Sequence, residues 1–75
     1  ISTRWNYRIV GTDETTIRNH VDDCLGDKDH ELVLSRRSRG GRYVSLHLSL
    51  IVDDEAERLS VHAELGKHEA VRFVL

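Results

Sequence analysis

Four arginines, Arg36, Arg37, Arg39 and Arg42, fall in one short segment with no acid among them. Guanidinium groups at that density can bind phosphate, an acidic protein surface or RNA through paired, charge-assisted hydrogen bonds. The plainer reading is a solubilising loop on an edge-strand hairpin, where charge also blocks unwanted edge pairing. A second set, Arg8, His47 and Arg72, occupies the polar phase of three alternating segments, together with Ser45 and Ser49. If Leu46, Leu48 and Leu50 face helices, this set shares the opposite sheet face. A small anion or a partner could sit there, and a solvated or dimer-covered face fits the same pattern. These seven residues, the four of the hairpin with Arg8, His47 and Arg72, are the candidate ligand- or partner-binding residues.

Other reactive side chains carry less. His20 and Cys24 are one helical turn apart, but further metal ligands at suitable spacing are missing, and Cys24 reads as a small apolar packing residue. His62 lies among Leu59, Val61 and Leu65, near the middle of an apolar helix face, and reads as a partly buried packing histidine. Gly66-Lys67 follows a helix, whereas a phosphate loop must precede one and needs more glycines. No Ser/His/Asp order, paired carboxylates or nucleophile elbow is persuasive, so the expectation is a non-enzymatic protein without metal or cofactor.

The element that must position the arginines is residues 38–52, SRGGRYVSLHLSLIV. It begins as a glycine-containing turn and becomes the longest alternating run of the chain. Val44, Leu46, Leu48, Leu50 and Val52 point one way, and Tyr43, Ser45, His47, Ser49 and Ile51 the other, as in a strand with one buried face. Ahead of it, residues 3–10 alternate Trp5, Tyr7 and Ile9 against Asn6, Arg8 and Val10, and Gly11 ends this first strand. Thr12 or Asp13 then caps a helix over about 13–25, with Ile17, Val21, Cys24 and Leu25 as its apolar stripe and Gly26 as its stop. A shorter strand over 31–36, with Leu32 and Leu34 on one face, runs into the turn 37–42. After the long strand, Asp54 and Glu57 form a capping box for a second helix over about 54–65, closed by Leu65-Gly66 as Leu25-Gly26 closes the first. Residues 69–75 alternate Val71, Phe73 and Leu75 against Ala70, Arg72 and Val74 as a fourth strand.

The order is βαββαβ. Right-handed crossovers put both helices on one face of a four-stranded antiparallel sheet of order 4-1-3-2, an α+β ferredoxin-like sandwich with the first and third strands at its centre. At 75 residues the chain is expected to be a single domain, 1–75. Its composition, 39% hydrophobic and 32% charged, is that of an ordinary globular protein. The formal charge of −2 conceals a basic tip between acidic flanks, which argues against broad coating of nucleic acid. No apolar run approaches a membrane span or signal-peptide core, and the lone Cys24 suits a reducing compartment, so a cytoplasmic location is expected. The chain opens at Ile1 rather than Met, so a leading segment is expected to have been trimmed.

Three pieces carry a family resemblance: Tyr7-Arg8-Ile9-Val10-Gly11; Ser38-x-x-Gly41-x-Tyr43-x-Ser45 leading into alternating aliphatics; and Glu64-Leu65-Gly66-Lys67 followed by Val71-Arg72-Phe73-Val74-Leu75. In this order they span nearly the whole chain, which resembles the YbeD-like family of small bacterial proteins of uncharacterised function. Family relatives carry an aromatic where this chain has His62. The resemblance implies a ferredoxin-like fold comparable to the small-molecule-binding ACT domains that regulate metabolic enzymes. It implies no established activity, cofactor or catalytic residue.

The functional expectation is therefore an ACT-like regulatory or adaptor module that binds a protein partner or a small metabolite, with no membrane association. Short edge strands leave homodimerisation through sheet edges or helices open. The alternative is a weak RNA-binding module using the arginine hairpin and the open sheet face. Ferredoxin-like RNA binders stack bases on aromatics at mid-strand, where this chain has Asn6, Arg8, Ser45 and His47, and that argues against RNA.

Overall fold

The computed structural model describes residues 2–75, so the expectation about a segment ahead of Ile1 lies outside the described residues. Six main elements follow in order: β1 (Thr3–Gly11), α1 (Glu14–Leu25), β2 (His30–Arg37), β3 (Val44–Val52), α2 (Glu55–Leu65) and β4 (Val71–Val74). A single 3-10 turn, Arg39–Gly41, joins β2 to β3. The sheet order is β2-β3-β1-β4 with every pairing antiparallel, the ferredoxin-like arrangement expected from the element order.

Local chemistry sets the element ends. The Asp13 carboxylate accepts from the Thr16 N–H at 2.9 Å and from the Thr16 hydroxyl at 2.7 Å, which decides the α1 cap in favour of Asp13 over Thr12. Asp54 caps α2 by accepting from the Glu57 N–H at 2.8 Å, and the Glu57 carboxylate accepts in return from the Asp53 N–H. Gly26 takes a positive φ of 57° at the end of α1, where a side chain would be strained. Gly66 does not repeat this, for its φ is −78°. The α2 carbonyls of Glu64 and Leu65 instead accept from His20 Nε2–H at 3.0 and 3.1 Å, so a side chain from α1 finishes the second helix.

The core lies between sheet and helices. Val44, Leu46, Leu48, Leu50 and Val52 of β3, Tyr7 and Ile9 of β1, Ile17, Val21 and Leu25 of α1, and Leu65 of α2 are all buried in one cluster. The Tyr7 hydroxyl, carried into this layer, donates to the Arg58 carbonyl at 2.7 Å, as a buried phenol requires.

Three placements differ from the sequence expectation. β-Bulges occur at both edges: Leu34 pairs with Leu46 but Arg36 with Ser45, and Gly11 pairs with Val71 but Val10 with Phe73. An extra residue in one strand shifts the alternation that follows it. Phe73 and Leu75 are therefore exposed, and Val74 packs against the core in their stead. The third difference is His62, which is exposed. Val61 and Leu65 form the inward line of α2, and His62 on its flank donates from Nε2 to the Val74 carbonyl at 3.0 Å.

Candidate functional site: the open sheet face and its hairpin end

The face of the sheet away from the helices is laid out by strand register. Across it, Val33, His47 and Arg8 form one row, with Leu75 bonded to Arg8 through both backbone groups. The next row toward the β2–β3 turn is Arg36, Ser45, Val10 and Phe73. His47 and Arg8 are thus direct neighbours on the two central strands, and both are exposed. Arg36 reaches this face because of the bulge, in which Ser35 is the extra residue between the Leu34 and Arg36 pairings.

Arg37, one residue on, pairs with Val44 of the buried phase and meets Glu14 of α1 across an Nη2–Oε1 distance of 2.5 Å. It is tied to the helix layer. Arg39 and Arg42 lie in and beside the 3-10 turn and are exposed. The turn owes its shape to Ser38: its hydroxyl accepts from the Tyr43 N–H, its own N–H donates to the Tyr43 carbonyl, and its carbonyl accepts from Gly41 N–H, each at 2.9 Å. Gly40 and Gly41 supply the positive φ values, 83° and 72°, that this tight path demands. Arg72 is the extra residue of the β1–β4 bulge. Its Nη1 donates to the Glu69 carbonyl at 2.7 Å, and it lines a surface groove with Thr12, Asp13 and Thr16, away from Arg8 and His47.

Of the seven candidates, then, Arg8 and His47 are adjacent, Arg36 stands in the next row, and Arg39 and Arg42 rise from the turn beyond it. Arg37 and Arg72 are directed elsewhere. Among the described residues, no carboxylate is bridged to Arg8, Arg36, Arg39 or Arg42. The acids bridge instead in the helix layer and its margins, Glu14 to Arg18 and Arg37, Glu55 to Arg58, Glu57 to Lys28 and Glu64 to Lys67. Asp22 and Asp23 of α1 are in none of these bridges, so the formal charge of −2 combines an excess of acids toward the helices with an excess of cations at the hairpin end of the open face.

Where the open face meets the turn, a shallow concavity of about 250 Å³ is lined by Val10, Arg36, Ser38, Arg39, Tyr43, Val44 and Ser45. A second hollow, sharing Ser38, Arg39 and Tyr43, extends it toward Arg42. Neither has a carboxylate in its lining. Ser38, Tyr43 and Ser45, which are not among the seven candidates but do carry the family resemblance, are walls of this hollow. Their spacing in the motif was the signal; the turn that folds Ser38 back onto Tyr43 is what gathers them.

His20 and Cys24 do approach, with Sγ 3.6 Å from Nε2, but the imidazole is already engaged by the end of α2. Burial, and after it the nearby Glu64 and Asp23 charges, push the Cys24 thiol up, away from the thiolate that metal binding needs. At the far end of β1, the half-exposed Trp5 ring is covered by the Arg58 guanidinium, 4.8 Å from its centroid.

Comparison with known proteins places this arrangement. The family described as "Protein of unknown function (DUF493)" matches residues 3–75. The chain belongs to the DUF493 family. The YbeD-like resemblance of the sequence agrees with that membership. Within reach of a DUF493 chain by sequence is uncharacterized protein Cj0253 of Campylobacter jejuni, 29% identical over 73 residues, covering 97% of this chain and 82% of that protein. The solution structure of protein HP0495 from H. pylori superposes with a TM-score of 0.81 at 21% identity, covering 97% of this chain and 80% of the other. The crystal structure of the ACT domain from the GTP pyrophosphokinase of Chlorobium tepidum superposes with a TM-score of 0.76 at 19% identity, covering 100% and 97%. At these identities the two structural likenesses show the fold alone, a ferredoxin-like arrangement shared with an ACT domain. Among the described residues, no helix is long and apolar enough to cross a membrane.

Proposed function

We propose that this DUF493 chain is a non-enzymatic, ACT-like regulatory or adaptor module of the cytoplasm, which binds a protein partner or a small metabolite through the hairpin end of its open sheet face. The observation that carries this reading is the charge arrangement. Arg8, Arg36, Arg39 and Arg42 have no ion-pair partner among the described residues, and Arg36, Arg39 and Arg42 border adjoining hollows without acids. Arginines kept only for solubility have no reason to gather beside a concavity with an aromatic wall. Binding there regulates by population shift, because a ligand that favours one association state of the module stabilises that state by its difference in affinity.

The test is affinity capture from native lysate with the natural chain and with Arg39→Glu/Arg42→Glu as baits, each with and without nuclease, read by mass spectrometry. The reading expects a partner that survives nuclease and is lost with the double variant. An unchanged partner set removes the hairpin from the function. Partners that vanish with nuclease favour the RNA alternative, for which one observation speaks. The β4 bulge brings Phe73 to the open face beside Val10, although Arg8 and His47 still hold the central positions where bases would stack. An empty capture directs attention to the small-metabolite form of the reading.

A further inference from the structure

Two serines of β3 share the open face, and they differ. Ser49 Oγ accepts from Arg4 Nη1 at 2.8 Å. Ser45 Oγ is buried and, among the described residues, is the side-chain polar atom of that kind without a hydrogen-bond partner. Such atoms are few in folded proteins, because leaving one unpaired costs stability that an alanine would not. Folding alone would favour alanine at this position. The residue as a whole is only partly buried and forms part of the hollow's wall, so a turn about χ1 carries the hydroxyl from its covered position toward the space it borders.

We infer that this hollow is a phosphomonoester subsite for a small molecule, in which Arg36, Arg39 and the Ser45 hydroxyl bind the phosphate and Tyr43 with Val10 takes the apolar body of the ester. The inference rests on the reading of the hairpin end as the binding surface and specifies its ligand. The three donors come from three separate stretches of backbone, β2, the turn and β3, and line one hollow. A tetrahedral dianion offers three oxygens to such a set, whereas a carboxylate offers two in one plane. Guanidinium groups are suited to it by their fixed forks of N–H donors. The Tyr43 ring, 39% exposed, lies in the walls of both hollows and presents an apolar surface beside the cations. No acid lines the space, so a doubly charged ligand meets no repulsion at contact distance.

The experiment is titration of isotope-labelled protein with phenyl phosphate, inorganic phosphate and benzoate, following backbone amide signals. Expected are saturable shifts centred on Arg36, Arg39, Tyr43 and Ser45, phenyl phosphate bound more tightly than inorganic phosphate, and benzoate weaker than phenyl phosphate by about tenfold or more. Ser45→Ala is expected to weaken phenyl phosphate by about tenfold while the thermal midpoint of the free protein holds or rises, because the unpaired hydroxyl is gone. A merely structural serine would lower the midpoint on replacement and leave the affinity alone. Equal binding of benzoate, shifts centred elsewhere, or undiminished affinity in Ser45→Ala overturns the subsite. If Ser45→Ala binds normally while Arg36→Gln does not, the three-donor subsite falls and the basic end survives as a binding surface. The capture experiment with Arg39→Glu/Arg42→Glu tests the protein-partner form of that broader reading independently.

Discussion

Arg37 and Glu14 meet across the edge of the fold, Nη2 to Oε1 at 2.5 Å, and this contact separates Arg37 from the three other hairpin arginines. Glu14 also accepts from Arg18 Nε at 2.9 Å, so one carboxylate links the first turn of α1 to the end of β2. Arg36, directly before Arg37, faces the open side because the bulge changes the phase of β2 between Leu34 and Arg36.

Neighbouring substitutions should therefore have opposite signatures. Arg37→Gln is expected to lower the thermal midpoint slightly, and less so at high salt, since an exposed ion pair is screened. Its ligand affinity should stay at the natural level. Arg36→Gln is expected to leave the midpoint in place and reduce binding. Calorimetry of both variants beside a phenyl phosphate titration checks the pair of outcomes.

Acid should loosen the helix starts first. Asp13 is held below its ordinary value by the Thr16 hydroxyl and then the Thr16 N–H, Glu14 foremost by Arg18, and Glu57 foremost by the Asp53 N–H and then by Lys28. With the folded value depressed, the unfolded chain binds more protons in this range. The stabilisation is complete above the ordinary values of 3.8 for Asp and 4.5 for Glu, and is lost as pH falls through the lower folded values. Thermal midpoints should be level above about pH 5 and fall toward about pH 3. Glu57→Gln should flatten part of that fall, and an unchanged slope would sink the assignment.

Gly11 is a packing requirement. A Cβ there would stand 2.1 Å from the Ala70 carbonyl oxygen and 2.8 Å from Ile17 Cδ1, where the start of β4 crosses β1 and Thr12 N–H donates to the same carbonyl at 3.0 Å. Backbone held by its own hydrogen bond cannot yield cheaply. Gly11→Ala is expected to cost about 3 kcal/mol, measured by denaturant unfolding. The thermal midpoint should drop by more than about 10 °C.

Ser38 should matter to the turn more than to the fold. Replacing it with alanine removes the acceptor for the Tyr43 N–H and should cost about 1 kcal/mol. Hydrogen exchange should then show the Tyr43 amide opening faster while amides of Leu46 to Leu50 keep their protection. Binding at the hollow should weaken as its wall loosens.

Much of this architecture was legible in the residues themselves. The alternation of Val44 to Val52, the stripe of Ile17, Val21 and Leu25, and the caps Asp13 and Asp54 are local patterns, and local patterns dictate strand, helix and their ends. Element order with handed crossovers then left one sheet order, which the fold has. The composition of the hairpin also identified a basic tip, with Arg8 and His47 correctly on one face.

Tertiary structure alone decided which side chains reach that face. A bulge depends on how one strand meets the hydrogen-bond register of another, and nothing within residues 34–36 or 71–74 announces it. Each bulge shifts the strand's phase, so Arg36 and Phe73 come to the open side while Arg37 meets a helix and Val74 enters the core. The close approach of Gly11 to Ala70 and the capping of α2 by His20 likewise join residues far apart in the chain. Periodicity is a property of one segment; the composition of a binding face is a property of four segments in register.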